Sequence, residues 1–354
     1  MDAPPVTGID GTKVSRWLAE HVPGASAGPL QFELIGDGRS NLSYRVSNSA
    51  GQWVLRRPPL GQILATAHDM AREYRVQAAV TSAGFPAPAM LALCDDPEVN
   101  GQPFYVMDFC DGVILVDGLP GGFAATDEWR RQLSARFVET LVALHAIDYQ
   151  QVDLSGFGRP ENYVERQLAR WSRQWEHNRT RDLPEIDRVT SLLSRAIPVS
   201  PAPTIVHGDY RLGNIIWHRS NPGELLAVLD WEMSTIGDPL ADLGYTLLWW
   251  GEPGDGPRPQ TLDFYAQVTS SSGFYSRDQL VSAYAAQSGR DVSSIDFYRI
   301  FAAYKLAVIF EGLYKRFLDG QTVAEGYEDY AVSAPELVQY AIDIAAQSSD
   351  PRLT

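Results

Sequence analysis

The stretch His207-Gly208-Asp209-Tyr210-Arg211-Leu212-Gly213-Asn214, followed by an apolar run that ends in Asp230-Trp231-Glu232, holds residue types that phosphoryl transfer needs. Moving a phosphoryl group to a hydroxyl takes a carboxylate to accept the hydroxyl proton and oxygen ligands to hold Mg²⁺ against the phosphates. Asp209 and Asn214 stand five positions apart across a tight loop and would supply a base and a metal ligand. Asp230, 21 residues beyond Asp209, would supply the other metal contact. Gly, Asp and Asn also favour ordinary turns. The stronger signal is the aspartate at the exit of LLAVLD, where a carboxylate is costly unless paired or coordinated. His207 reads as a residue that holds the loop by a hydrogen bond, not as a base beside Asp209.

The elements that must position these residues follow from periodicity. Asp10 precedes Val14, Trp17, Leu18 and Val22 at helical spacing, and Pro23-Gly24 ends that helix. From Leu30 to Gly61 the pattern shortens to FELI, SYRVSN and QWVLRR, as hairpin-linked antiparallel strands. A helix is predicted over 67–83, then two strands, MLALCDD and PFYVMDF, joined by the turn-rich DDPEVNGQ. Beyond Gly112 the pattern is helical, with Leu133, Phe137, Leu141 and Leu144 forming one stripe. Inside it, residues 205–232 read as strand, loop, strand, Asn-Pro-Gly turn and strand. The Asp-to-Asn spacing of that loop matches the protein-kinase catalytic loop.

At 354 residues the chain exceeds what one core accommodates, so two lobes are expected. Hydrophobic residues at 45% exclude a disordered chain. A net charge of −15 argues against a nucleic-acid partner, whose phosphates demand a basic surface. Cys94 and Cys110 lie in apolar stretches and read as core thiols of a reducing compartment. No stretch reaches the roughly 18 apolar residues of a membrane span, and the N-terminus has no basic region followed by an apolar run, so a cytoplasmic protein without a membrane partner is expected. The sequence leaves the oligomeric state open.

HGDYRLGN, LDWE and IGDPLADLGY together resemble the aminoglycoside phosphotransferase and choline kinase-like family, relatives of the protein kinases. Upstream, GDGRSNLSYRV, WVLRRPP, REYRVQAAV and FYVMDFCDG follow the order of that family's nucleotide-binding lobe. The wording is most similar to the subgroup whose kinase-like domain also occurs fused to acyl-CoA dehydrogenases. The resemblance implies an α+β, protein-kinase-like two-lobe fold. Residues 1–109 would form an N-terminal helix and antiparallel nucleotide-binding lobe, and residues 110–354 a mainly helical catalytic and substrate lobe.

It further implies Asp209 as base, Asn214 and Asp230 as Mg²⁺ ligands, and ATP as donor with GTP not excluded. Arg56 takes the place of the strand lysine that holds the α- and β-phosphates, and Glu73 is the helix carboxylate that orients it. Strand alternation puts Val54 and Arg56 on one face and Arg57 on the other, although a bulge would exchange the arginines. A guanidinium still binds phosphate oxygens bidentately. The other reading of the pair is surface arginines beside Pro58. Gly36 and Gly38 sit in a nucleotide-covering turn that lacks the third glycine of G-x-G-x-x-G, with Arg39, Ser40 and Asn41 offering backbone to phosphate. Adenine would bond backbone near Asp108 and Cys110. Asp238 and Asp242 share a helix face and read as structural.

The acceptor is a small molecule with a hydroxyl. Trp171, Trp175, Trp249, Trp250, Tyr304, Phe310, Tyr314 and Phe317 are mostly core. Any that line the site would suit an apolar-bodied or hydroxyacyl compound over a polycationic aminoglycoside. His177, Arg179, Arg181, Lys315 and Arg316 would receive an anionic acceptor if they are not solvated helix faces. Two other readings remain: a nucleotide-binding module without turnover, and a metal-dependent phosphohydrolase built on Asp209, Asp230 and Asp238.

Overall fold

Of the first three strands, the second alternates buried with half-buried residues because one of its faces meets the core beneath it, whereas the third is buried on both faces. In the computed structural model, which describes residues 6–36, 41–60, 69–321 and 326–353, these strands are β1 (Gln31–Ile35), β2 (Leu42–Ser47) and β3 (Gln52–Arg57). Asp10 caps α1 (Gly11–His21) by accepting from the Lys13 amide. Asp69 likewise caps α2 (Met70–Ser82), which is followed by β4 (Met90–Cys94), α3 (Pro97–Asn100) and β5 (Phe104–Asp108). The five strands run in the order β1-β2-β3-β5-β4, with every neighbouring pair antiparallel. Val14 and Leu18 of α1 pack with Tyr44, Leu55 and Val106 beneath one face of this sheet.

DDPEVNGQ is not a plain turn. Asp96 accepts from the Glu98 amide and Pro97 opens α3, a residue preorganised for a first helical position. Gly38, Arg39 and Ser40 lie outside the described residues.

The remaining elements are β6 (Val113–Ile114), α4 (Asp127–Ala146), α5 (Tyr163–Asn178), α6 (Pro184–Ala196), β7 (Thr204–Val206), β8 (Ile215–His218), β9 (Asn221–Val228) and β10 (Thr235–Gly237). They are followed by α7 (Pro239–Trp249), α8 (Gln260–Ala266), α9 (Arg277–Ser288), α10 (Ile295–Leu318) and α11 (Tyr330–Gln347). The Asn-Pro-Gly turn expected at 221–223 is a correction: the hairpin turns at Arg219 and Ser220, and Asn221–Val228 is strand throughout. Pro222 is tolerated because β9 is an edge strand in the order β6-β8-β9, where a missing N–H breaks no central ladder.

The chain divides into two compact units, Met1–Asp111 with Leu226–Glu232, and Gly112–Leu225 with Met233–Thr354. The end of β9 and the acidic residues after it therefore group with the first unit. In the second, α10 packs against α5, α6, α7 and α11 and carries buried Phe297, Ile300, Tyr304 and Val308 through its centre. Cys94 and Cys110 are both free thiols. Among the described residues no helix is long and apolar enough to cross a membrane.

Candidate active site

In the first unit, β3 and α2 bring Arg56 to Glu73, with Nε 3.1 Å from Glu73 Oε1. Arg56 Nη2 stands 2.6 Å from Asp230 Oδ1 and 3.7 Å from Glu232 Oε2. One guanidinium thus meets three carboxylates, which only a planar fork of five donors does without strain. Burial alone would lower the Arg56 guanidinium, but Glu73 and Asp230 outweigh it and hold the group firmly charged. Burial pushes the Glu73 carboxyl up, against the pull of Arg56 and a hydrogen bond from Tyr105. Asp230 adopts φ 67°, a left-handed backbone uncommon for a residue other than glycine.

The two arginines of β3 are separated by strand alternation. Arg57 lies on the opposite face, buried, with hydrogen bonds to the Pro58 and Gly8 carbonyls. It is neither a surface residue nor part of the acidic cluster. Asn41 is buried too, and its side-chain amide donates to Glu73 Oε2 at 3.3 Å and to Glu232 Oε2 at 3.1 Å. Gly36 follows β1 with φ +86° and open space where a Cβ would stand. The Asp108 N–H is committed to the Ala89 carbonyl at 2.9 Å. Cys110 is half-buried, its thiol pushed up by burial.

In the second unit, the chain from β7 to β8 carries the predicted loop. Asn214 Nδ2 donates to Asp209 Oδ2 at 2.8 Å and to the Asp209 carbonyl at 2.9 Å. The amide nitrogen is thereby used, and the side-chain oxygen is the atom a hard cation would take. Arg211 Nε lies 3.2 Å from Asp209 Oδ1, and its guanidinium sits over the rings of Trp249 and Tyr265 at 5.3 and 4.9 Å. Tyr245 hydrogen-bonds Asp209 as well. The carboxylate is fixed from three sides.

The loop backbone is fixed from below. Asp242, wholly buried on α7, accepts from the His207 N–H at 2.6 Å and the Gly208 N–H at 2.7 Å, and meets His145 Nε2 at 3.3 Å. Burial would raise its carboxyl, but the His145 hydrogen bond and charge and the Gly208 amide win and lower it. His207 Nδ1 accepts from the Asp209 N–H at 3.2 Å, the loop-holding part the sequence suggested. Gly208 has φ +86°, and a Cβ there would meet the Met233 carbonyl oxygen at 2.6 Å, so glycine is required twice over.

Asp238 caps α7, accepting from the Leu240 amide through Oδ1 and the Tyr298 hydroxyl through Oδ2. Each oxygen holds a hydrogen bond of the helix cap, the structural role the sequence suggested. Among the described residues no group of three His, Cys, Asp or Glu is placed to hold a metal. Trp171, Trp175, Trp249, Trp250, Tyr304 and Phe310 are buried, whereas Phe317 is exposed. Arg179, Arg181 and Lys315 are matched by Glu176, Glu311 and Asp319.

Sequence reasoning missed Glu232, although LDWE displays it, and it missed Lys305. The signal for Lys305 was a lone cation in FAAYKLAVIF, costly in an apolar helix unless it has a partner. Its Nζ donates to the Gly208 carbonyl at 2.8 Å and lies 4.6 Å from the Tyr245 ring centroid.

A five-stranded antiparallel sheet with its covering helix, followed by a mainly helical unit bearing an Asp-x4-Asn loop, defines an α+β protein-kinase-like phosphotransferase. Residues 31–275 match the phosphotransferase enzyme family, APH, and the chain belongs to that family. It is 33% identical over 324 residues to acyl-CoA dehydrogenase family member 10 of Mus musculus, covering 91% of this chain and 30% of that protein. It spans less than half the length of such curated relatives, 44% of family member 11 of Gallus gallus. A crystal structure from Ralstonia eutropha, assigned by name to the aminoglycoside phosphotransferases, superposes with TM-score 0.80 at 31% identity, covering 96% of this chain and 99% of that one. Choline kinase of Cryptosporidium parvum, at 12% identity and TM-score 0.67 over 97% and 98% of the two chains, shares the fold. The family recognised from HGDYRLGN, LDWE and IGDPLADLGY is the family found.

Proposed function

We propose that this chain is a small-molecule kinase that transfers the γ-phosphoryl group of Mg·ATP to a hydroxyl of its acceptor. The observation that carries the reading is the Asp209 to Asn214 hydrogen bond of 2.8 Å, which aligns a carboxylate with an amide whose oxygen is left for a cation. In this reading Asp209 accepts the hydroxyl proton, and Asn214 and Asp230 ligate Mg²⁺. Two hard oxygen donors suit an ion that completes its octahedron with phosphate and water. Bound Mg²⁺ would neutralise charge developing on the transferred group. Arg56, held by Glu73, engages the α- and β-phosphates, with backbone around Gly36, Gly38, Ser40 and Asn41 covering them and backbone near Asp108 and Cys110 meeting adenine.

The acceptor reads as an apolar-bodied or hydroxyacyl compound and not an aminoglycoside. Asp209 is flanked by the cations Arg211 and Lys305, which oppose the approach of a polycation, and Tyr245, Trp249 and Tyr265 add aromatic surface beside them. The acyl-CoA dehydrogenase name of its longer relatives points the same way. The chain acts, in this reading, as a cytoplasmic enzyme on nucleotide and small molecule.

The test is thermal stabilisation by Mg·ATP and Mg·GTP, followed by nucleotide consumption across aminoglycosides, amino alcohols, hydroxy acids and hydroxyacyl-CoAs. Stabilisation with acceptor-dependent consumption is expected. No stabilisation by any Mg·nucleotide would falsify the reading.

A further inference from the structure

The peptide joining Gly208 to Asp209 is gripped at both ends. Its carbonyl oxygen accepts from Lys305 Nζ at 2.8 Å, and its N–H donates to His207 Nδ1 at 3.2 Å. The preceding peptide is anchored by Asp242 Oδ1 through the Gly208 N–H at 2.7 Å. Gly208, at φ +86°, is the one residue in this stretch without a side chain to resist rotation, so its peptide depends on outside contacts.

Lys305 comes from the middle of α10, far from the loop in sequence and flanked by the buried Tyr304, Leu306 and Ala307. Its Nζ lies 4.6 Å from the Tyr245 ring centroid and 6.0 Å from that of Trp171, two aromatic faces that attract a cation. Burial pulls its ammonium below the usual lysine range, while Asp209 and Asp242 oppose that pull and Arg170 adds to it. The ammonium thus serves the loop's carbonyl and the field around Asp209 together.

We propose that Lys305 is a positioning residue for phosphoryl transfer, one that sets the Gly208–Asp209 peptide and through it aims the Asp209 carboxylate at the acceptor hydroxyl. The inference rests on the reading of Asp209 as the base. A base displaced by about 1 Å loses up to about 100-fold in rate, without a matching loss of nucleotide affinity.

The comparison is Lys305→Met and Lys305→Arg against the intact chain, with circular dichroism to confirm folding. Methionine keeps the apolar stem and removes donor and charge, and arginine keeps both. Lys305→Met is expected to lower kcat about 10- to 100-fold with KM for Mg·ATP changed less than about twofold, and Lys305→Arg to recover most of kcat. In a crystal structure of Lys305→Met the Gly208 carbonyl should turn from its wild-type direction. A wild-type kcat in Lys305→Met, or an arginine variant as slow as the methionine one, overturns the proposal. If the intact chain phosphorylates no acceptor, the role of Asp209 fails on its own account. The crystal comparison then decides this inference, because an unmoved Gly208–Asp209 peptide in Lys305→Met overturns it.

Discussion

Arg56 Nη2 stands 2.6 Å from Asp230 Oδ1, and the same side chain holds Glu73 through Nε at 3.1 Å. The arginine that replaces the family's lysine is therefore the counter-ion of two acids at once. Removing it by Arg56→Met leaves Glu73 buried without its cation, a change that costs about 3 kcal/mol or more. An acid whose folded pKa rises above its unfolded value loses stability as pH increases from the unfolded value upward. The deficit of Arg56→Met against wild type should thus grow towards neutrality once pH exceeds the wild-type Glu73 value, which burial holds above the usual carboxylate range. Adding Glu73→Gln should restore most of the stability and none of the nucleotide affinity, as read by urea unfolding and by Mg·ATP titration.

The strand β2 and the stripe of α4 were legible because each turns one face to the core, and a one-sided element writes its period into the sequence. The loop that pairs Asp209 with Asn214 was legible because the two residues stand five positions apart. Lys305 was not, since it acts on Gly208 from another helix and no local pattern reports a partner 97 positions away; Asp242 was legible as structural, but its particular partners, the His207 and Gly208 amides, were not. The Asn-Pro-Gly turn failed for a related reason: whether a proline ends a strand depends on whether that strand is an edge, which topology decides.

Asp242→Asn tests the loop's anchor. The substitution keeps the shape but replaces charge-assisted hydrogen bonds from the His207 and Gly208 amides by weaker ones, and it places an NH2 where acceptors are needed. A loss of about 2–3 kcal/mol is expected in chemical denaturation, together with loss of turnover. Asp238→Asn, at the cap of the same helix, should lose stability with a smaller effect on turnover.

Asp209→Asn and Asp230→Asn separate base from metal ligand. Asparagine tolerates the left-handed φ of residue 230, so the backbone there survives either charge state. Asp209→Asn should reduce turnover about 10²- to 10⁴-fold while thermal stabilisation by Mg·ATP persists. Asp230→Asn should abolish the Mg²⁺-dependent part of that stabilisation. Equal loss of stabilisation in both would contradict the assigned roles.

Acid stability is set in part by Asp255. Burial would raise its carboxyl, but hydrogen bonds from Arg277, the Glu252 amide and Arg258 hold it at about 2. Arg277 Nη1 and Arg258 Nη1 reach Asp255 Oδ2 at 2.9 and 2.8 Å. A carboxylate depressed in the folded state contributes stability above its unfolded pKa of about 3.9, and that contribution is lost as pH falls through the folded value. Arg277→Met should therefore be less stable than wild type at pH 7. The gap between the two unfolding midpoints should stay constant down to about pH 4 and narrow as pH falls towards 2, where the wild-type Asp255 is about half protonated. A gap that persists unchanged at pH 2 would mean that Arg277 contributes by packing alone.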